Sequence, residues 1–250
     1  MADSSAILHR ILAPPSRSDA PELLDGVIAD PAELAENFRD IQRVNRLLGG
    51  TSTVLHHLPP LLDAVPADQP ATILDLATGA ADIPIAIARR AERDGRPVRI
   101  IASDASEEIL ALAGANVAGH PAIELAHIDA RDVPLPDGDV DIAICSLSLH
   151  HFPPDEAARV LREMHRVARV GFILNDLRRS RLGYAAAWVA ARLTTRNRLT
   201  RNDAPLSVLR AYTPTELAAL LAVAGIDNAR ITTHPWFRMA AVARRESADA

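Results

Sequence analysis

The 250-residue chain contains no lysine; all 27 of its basic residues are arginine. A P-loop, whose lysine reaches the nucleotide phosphates, is therefore excluded. So are a pyridoxal-phosphate Schiff base and any dehydrogenase built on a catalytic lysine. Cysteine occurs once, at Cys145, so no disulfide can close within the chain and a multi-cysteine zinc site is ruled out. Cys145 lies inside an apolar run and reads as inert core. Aromatic residues make up 3% of the chain and the formal net charge is −5, which argues against nucleic-acid binding by phosphate neutralisation. No apolar run approaches the roughly 20 residues needed to span a bilayer. The longest, Tyr184 to Leu193, is cut by Arg192 and Arg196. The first residues lack the basic start and apolar run of a secretory signal, so a cytoplasmic location is the expectation.

Apolar residues make up 48% of the chain, enough for a substantial core. Residues 1–30 are polar and proline-containing, with a short apolar patch at Ile7, Leu8, Ile11 and Leu12. They read as a loose or partly helical lead-in. Asp30-Pro31 reads as an N-cap with proline at the first helical position, followed by Leu34, Phe38, Ile41 and Leu48 at helical spacing. Gly49-Gly50 stops that helix, and Thr51 or Ser52 is expected to cap the next.

From residue 72 the pattern becomes one of strands alternating with helices. "TILDLA", "VRIIASD", "IELAHID", "VDIAICSLS" and "GFILND" read as strands. The segments between them carry helical periodicity, and Ser106 is a candidate cap. Residues 181–211 read as helical and arginine-rich, "TPTELAALLAVAG" as a capped helix, and "ARITTHP" and "FRMAAVAR" as final strands bent at Pro235. The pattern predicts an α/β fold with a doubly wound, mostly parallel seven-stranded sheet and an N-terminal helical extension. The expected division is an extension or lid over 1–66 and a main domain over 67–250, with a helical substrate-side insertion at about 178–211.

Ligands of such sheets sit beyond the carboxyl ends of the strands. Asp75 lies in the first strand, before the Thr78-Gly79-Ala80 turn. Asp104 ends the second strand, and Asp129 with Ala130 follows the third. Ser146, Ser148, His150 and His151 follow the fourth, and Asn175 and Asp176 end the fifth. An aspartate at the end of the second strand offers two acceptor oxygens to a ribose diol, in nicotinamide and sulfonium cofactors alike. The first loop discriminates between them. A pyrophosphate needs G-x-G-x-x-G at a helix N-terminus. Here the corresponding residues are Ala77, Gly79 and Asp82. An acid at the helix start repels a pyrophosphate and suits a cation such as an ammonium.

The run "ILDLATGAADIP … IIASDAS … IDARDVPLPDGDVDIAICSLSLHHF … TPTELAALLAVAGI" resembles class I S-adenosylmethionine (SAM)-dependent methyltransferases. It is most similar to the ubiquinone/menaquinone-biosynthesis methyltransferases and their small-molecule relatives, over roughly residues 40 to 243. The resemblance implies a Rossmann-like methyltransferase fold and SAM as cofactor. Asp75, Ala77 and the Thr78–Ala80 turn, with Asp82 beside them, would then meet the methionine end. Asp104 would take the ribose and Ala105 would pack on the adenine. Asp129 would bond the adenine amino group with Ala130 beside it, and Ser146 would line the methionine pocket. The first helix, with Asn45 and Gly49-Gly50, would fold over the cofactor. Two departures stand out. Ala81 replaces the usual third glycine, and "ARVG" leads into the fifth strand without a proline-glycine-glycine turn.

His150 and His151 are the candidate general bases. Asn45, Asn175, Asp176, Tyr184 and Trp188 are candidate substrate contacts. Arginines 178, 179, 181, 192, 196, 198 and 201 read mostly as a solvated face, with one or two able to bind an acidic group of substrate or carrier. His56, His57, His127 and His165 find no ligand partners at useful spacing, so no metal is expected. The expected function is methyl transfer to an oxygen or activated carbon of a phenolic, quinone-like or polyketide-like small molecule. A homodimer is a candidate assembly. The alternatives are an NAD-linked oxidoreductase and a non-catalytic SAM-binding protein.

Overall fold

A computed structural model describes residues 13–26, 28 and 30–245. The apolar patch at Ile7–Leu12 lies outside the described residues. Seven strands form one sheet: β1 (Ala71–Leu76), β2 (Val98–Asp104), β3 (Ile123–His127), β4 (Val140–Ser146), β5 (Ala168–Leu177), β6 (Arg230–His234) and β7 (Arg238–Arg244), in the order β3-β2-β1-β4-β5-β7-β6. The first five are parallel. β7 runs antiparallel to both β5 and β6. The order reverses between β1 and β4, which opens a crevice at their carboxyl ends.

The central strands are apolar on both faces because both faces are covered. Leu74, Leu76, Ala143 and Cys145 pack with α6 (Pro154–Val167) and α9 (Pro214–Val223). Ile73, Ile142 and Ile144 pack with α2 (Gly50–His57), α3 (Pro59–Leu62) and α4 (Asp82–Arg93). Ile73, Ile142 and Ile144 are fully buried, each contributing about 1.5–3 kcal/mol of transfer free energy. The parallel strands, the two covering layers and the preceding helices match the predicted class. α6 passes into β5 with no residue between them, Val167 ending one and Ala168 starting the other, so no glycine turn is needed.

Several predicted caps are present. Asp30 accepts from the Ala32 N–H to start α1 (Pro31–Leu47). Ser106 caps α5 (Glu107–Val117), and Thr213 with Glu216 forms a capping box on α9. The predicted Thr51 or Ser52 cap is corrected. Gly49, at φ 87°, is the N-cap of α2, and no side chain caps that end. Leu48 and the left-handed Gly49 alone separate the two helices, which places Thr51 and Ser52 inside α2.

The arginine-rich segment is two helices, α7 (Arg181–Thr194) and α8 (Arg198–Arg210), broken at Thr195–Asn197, where Asn197 caps α8. Arg181, Arg192, Arg196 and Arg198 are exposed, in line with a mostly solvated face, while others are held inside. Arg179 is buried and bonded to Pro15 O, Ala211 O and Glu216. Arg198 pairs with Glu33 and Arg201 bonds Thr195 O. Strand β3 ends at His127, two residues before Asp129, which therefore lies in the following loop.

Candidate active site

The turn after β1 is built from alternating left-handed residues: Ala77 (φ 52°), Gly79 (φ 57°) and Ala81 (φ 61°). For alanine this conformation costs roughly 1–2 kcal/mol per residue, so the loop shape is held against local preference. Ala81 is fully buried as the N-cap of α4 and gives that helix no side-chain cap. Gly79 is constrained from outside as well, since a Cβ there would stand 3.1 Å from Phe38 Cε1. Helix α1 thus lies directly on the loop.

Three carboxylates surround this turn. Asp104 accepts from the Gly79 and Ser106 N–H groups, each at 3.1 Å. Asp82 starts α4 and accepts from Asn45 Nδ2 at 3.0 Å. Asp75 is buried in β1. Burial pushes the Asp75 carboxyl up to about 7, with Asp82 and Asp104 adding to the shift. Burial likewise raises Asp82 and Asp104. Thr78, buried in the same turn, donates its N–H to Ser103 O at 2.7 Å. Among the described residues, Asp75 Oδ1, Thr78 Oγ1, Asn45 Oδ1 and Asn175 Oδ1 are buried without a hydrogen-bond partner. Buried acceptors in that state call for a donor. Asn175 links this group to β4, donating to Ser146 Oγ at 2.7 Å and to Gly50 O at 3.3 Å.

The remaining cofactor candidates flank the turn. Ala105 is exposed just beyond β2, and its carbonyl contacts His127 Nε2 at 2.9 Å. Asp129 is half-exposed and held by Arg131, whose Nη2 lies 2.7 Å away; that pairing lowers the carboxyl below its usual range. Ala130 beside it is buried.

His150 and His151 sit in a short turn after β4, and each Nδ1 is held by a carboxylate. His150 Nδ1 lies 2.7 Å from Asp176 Oδ1, and His151 Nδ1 lies 2.7 Å from Asp25 Oδ1. A neutral imidazole held this way donates at Nδ1 and keeps the Nε2 lone pair free. Both Nε2 atoms face Glu22, 3.8 Å from its Oε1 and Oε2 respectively. Asp176 also accepts the N–H groups of His150 at 2.9 Å and Leu177 at 2.7 Å.

Sequence reasoning missed the partners Glu22 and Asp25. They lie in the lead-in and signal only a reciprocal cap: Asp25 Oδ2 accepts the Glu22 N–H at 2.9 Å. Burial pushes the Glu22 carboxyl up to about 7. Burial opposes ionisation of Asp25 too, but His151 and Arg210 outweigh it and hold the carboxyl below its usual range. Arg210 bonds Asp25, His150 O and His151 O. Buried Arg238 was missed as well. Its Nε donates to Leu48 O, and burial lowers it to about 10 despite Asp176 and Asp82.

Tyr184 and Trp188 are not among these buried groups. Both are exposed on α7, with Arg192 stacked 3.8 Å over the Trp188 ring. His57 and His234 meet, Nε2 to Nε2, at 2.9 Å, a pairing hidden by a separation of 177 residues. Cys145 is buried, and burial raises its thiol well above the usual range. No helix among the described residues is long and apolar enough to cross a membrane.

Residues 73–171 match the family described as methyltransferase domain. Over that stretch, about two fifths of its length, the chain is similar to methyltransferase domains. Demethylmenaquinone methyltransferase of Lysinibacillus sphaericus strain C3-41 is 35% identical over 98 residues, which is 39% of this chain and 40% of that protein. The Bacillus licheniformis protein of the same name is 34% identical over 101 residues, 40% of this chain and 41% of its own. The matched stretch thus spans about two fifths of each relative. Among solved structures, a SAM-dependent methyltransferase from Aquifex aeolicus aligns at TM-score 0.57 and 21% identity, covering 87% of this chain and 99% of that one. Human N-acetylserotonin methyltransferase in complex with SAM aligns at TM-score 0.63 and 17% identity, covering 92% and 61%. At such identities the structures establish a shared fold. The methyltransferase domain supplies the loop, Asp104 and the two histidines, whereas Glu22, Asp25, Asp176 and Arg210 lie outside the matched stretch.

Proposed function

We propose that this protein is a SAM-dependent methyltransferase acting on an oxygen or an activated carbon of a phenolic or quinone-like small molecule. The observation that carries the reading is the acid-rich turn after β1, with unpartnered buried acceptors in Asp75, Thr78, Asn45 and Asn175. A phosphate would be repelled there. An ammonium supplies donors for these acceptors, and its charge together with that of a sulfonium offsets the clustered acids.

On this reading Asp75, Ala77, Thr78, Gly79 and Asp82 hold the methionine end, with Ser146 and Asn45 beside it. Asp104 takes the ribose with its remaining lone pairs. Ala105, Asp129 and Ala130 bound the adenine. SAM supplies a methyl already activated by the sulfonium, so the protein's task is to position and deprotonate the acceptor. His150 and His151, each fixed at Nδ1 by a carboxylate, present Nε2 lone pairs for that task. Asp176 is a positioning residue for His150. Asn175 would adjoin the acceptor, and Tyr184 and Trp188 would meet it only where α7 borders the site. Helix α1 acts as a cover, with Phe38 resting on the Gly79 turn. The demethylmenaquinone methyltransferases among the relatives support a quinone-like ring.

Calorimetry with purified protein tests the cofactor. Asp104→Ala removes charge-assisted hydrogen bonds of about 1.5–3 kcal/mol each, so SAM affinity should fall at least 100-fold. Unchanged binding in the variant refutes the site. Turnover of hydroxylated aromatic acceptors with wild-type protein then tests the reaction.

A further inference from the structure

The distance between Glu22 and the histidines raises a question the methyl-transfer reading leaves open. The Nε2 atoms of His150 and His151 and the buried carboxyl of Glu22 face one another. Each Glu22 oxygen is 3.8 Å from one Nε2, beyond hydrogen-bond reach. The His150 and His151 rings lie 4.4 Å apart, so both nitrogens approach the carboxylate from one side. Each imidazole is oriented through Nδ1 by its own carboxylate, Asp176 or Asp25, at 2.7 Å. That outer shell is the one metal-bound histidines carry.

We propose that Glu22, His150 and His151 form a divalent-cation site, bound through both Nε2 atoms and the Glu22 carboxylate. Cation binding needs only these residues; its use on the acceptor rests on the methyltransferase reading. Ligand atoms about 2.0–2.2 Å from a tetrahedral zinc lie roughly 3.3–3.5 Å apart. Glu22, His150 and His151 place one ligand atom each within 4.8 Å of one another, so closing on a zinc needs a contraction of up to about 1.5 Å. Of the three acids, Glu22 and Asp25 face Arg210, whose Nε is 3.9 Å from Glu22 Oε1, and Asp176 faces Arg238. Ser207 Oγ donates to Glu22 Oε1 at 2.9 Å, and Asp203 accepts the N–H groups of Leu23 and Leu24 at 2.8 and 3.0 Å. These contacts fix the carboxylate and its segment in place.

Two imidazoles and one carboxylate suit zinc or a neighbouring late first-row ion, whereas magnesium and calcium favour all-oxygen shells. Three protein ligands leave a position open, the arrangement of catalytic rather than structural zinc. His151 is partly exposed, which gives that position access. The ligand completing the shell is a hydroxylated aromatic acceptor. Coordination lowers the pKa of its hydroxyl and releases the proton to water, so the imidazoles act as ligands and need not act as bases.

Full-length protein stripped by chelator and titrated with zinc should bind one equivalent, and cobalt substitution should give the visible absorption of a low-coordinate site. Glu22→Gln and His151→Ala should each weaken zinc more than 100-fold. Asp25→Asn, which removes an outer partner, should weaken it about 10–100-fold and serves if Glu22→Gln fails to fold by circular dichroism. His57→Ala should leave stoichiometry and affinity unchanged. Absence of stoichiometric binding, equal affinity in the ligand variants, or loss of the site in His57→Ala overturns the proposal. SAM binding is measured on the same samples. Zinc bound without SAM supports the cation site and counts against the methyltransferase reading; SAM bound without zinc does the reverse.

Discussion

Asp176→Asn replaces a carboxylate by a group of the same shape and removes one acceptor. In the native structure Asp176 Oδ2 accepts the His150 N–H, while Oδ1 accepts both the Leu177 N–H and His150 Nδ1. An asparagine presents one oxygen and one NH2. With the NH2 in the Oδ2 position it meets the His150 backbone N–H, donor against donor. With the NH2 in the Oδ1 position, His150 can change tautomer and accept at Nδ1, but the Leu177 N–H is orphaned. Each orientation leaves a buried backbone donor unsatisfied, at about 1–3 kcal/mol. Buried Arg238 also loses a negative neighbour. A total loss of about 2–4 kcal/mol should appear as a lower urea midpoint at unchanged m-value. In the second orientation Nε2 carries the proton and can neither take one nor bind a cation. Where that orientation prevails, the turnover rate should fall about 10²–10⁴-fold while SAM affinity stays the same. Native stability within about 0.5 kcal/mol together with full turnover would refute the argument.

Stability should also respond to pH through Asp75. Its folded form keeps a proton up to about 7 that the unfolded chain releases near 3.8, so between those values stability falls as pH rises, by about 4 kcal/mol in all. Asp75→Asn should reduce that slope in denaturant titrations, leaving the part due to the raised Glu22, Asp82 and Asp104, and an unchanged slope would assign it elsewhere. His57 acts in the opposite sense. Burial and the facing His234 and His56 lower it to about 4, so its contribution is present above the unfolded value near 6.5 and is lost as pH falls toward 4. His57→Ala should therefore steepen the net decline seen with rising pH. Gly79→Ala forces a methyl into a left-handed position 3.1 Å from Phe38; a stability loss of about 1–2 kcal/mol and weaker SAM binding are expected, and wild-type calorimetry would exclude the close packing.

The strands and their order of use were legible because a parallel sheet covered on both faces imposes long apolar runs such as Val140–Cys145, punctuated by capped helices. The acid-rich turn and Asp104 were legible for a related reason: they lie at strand ends, and strand ends are visible in sequence. The caps at Asp30, Ser106 and Thr213 were legible because capping is local. The Thr51 or Ser52 cap failed because a left-handed glycine starts that helix instead, a backbone choice no side chain announces. The acceptor side was half legible. His150 and His151 stand at a strand end, but Glu22, Asp25 and Arg210 reach them from segments with no chemical signature of their own. Pairings such as His57 with His234 depend on β6 returning along the sheet edge, which no spacing encodes.

The location of those partners has a consequence for how the molecule can change. The matched stretch, residues 73–171, holds the cofactor turn, Asp104 and both histidines. The groups that orient or face the histidines come from both flanks, Glu22 and Asp25 before it and Asp176 and Arg210 after it. On the proposed reading, acceptor preference would rest on parts of the chain that can drift or be exchanged without touching the residues proposed to hold the methyl donor. A library confined to the flanking segments should shift which molecule is methylated while keeping the donor constant.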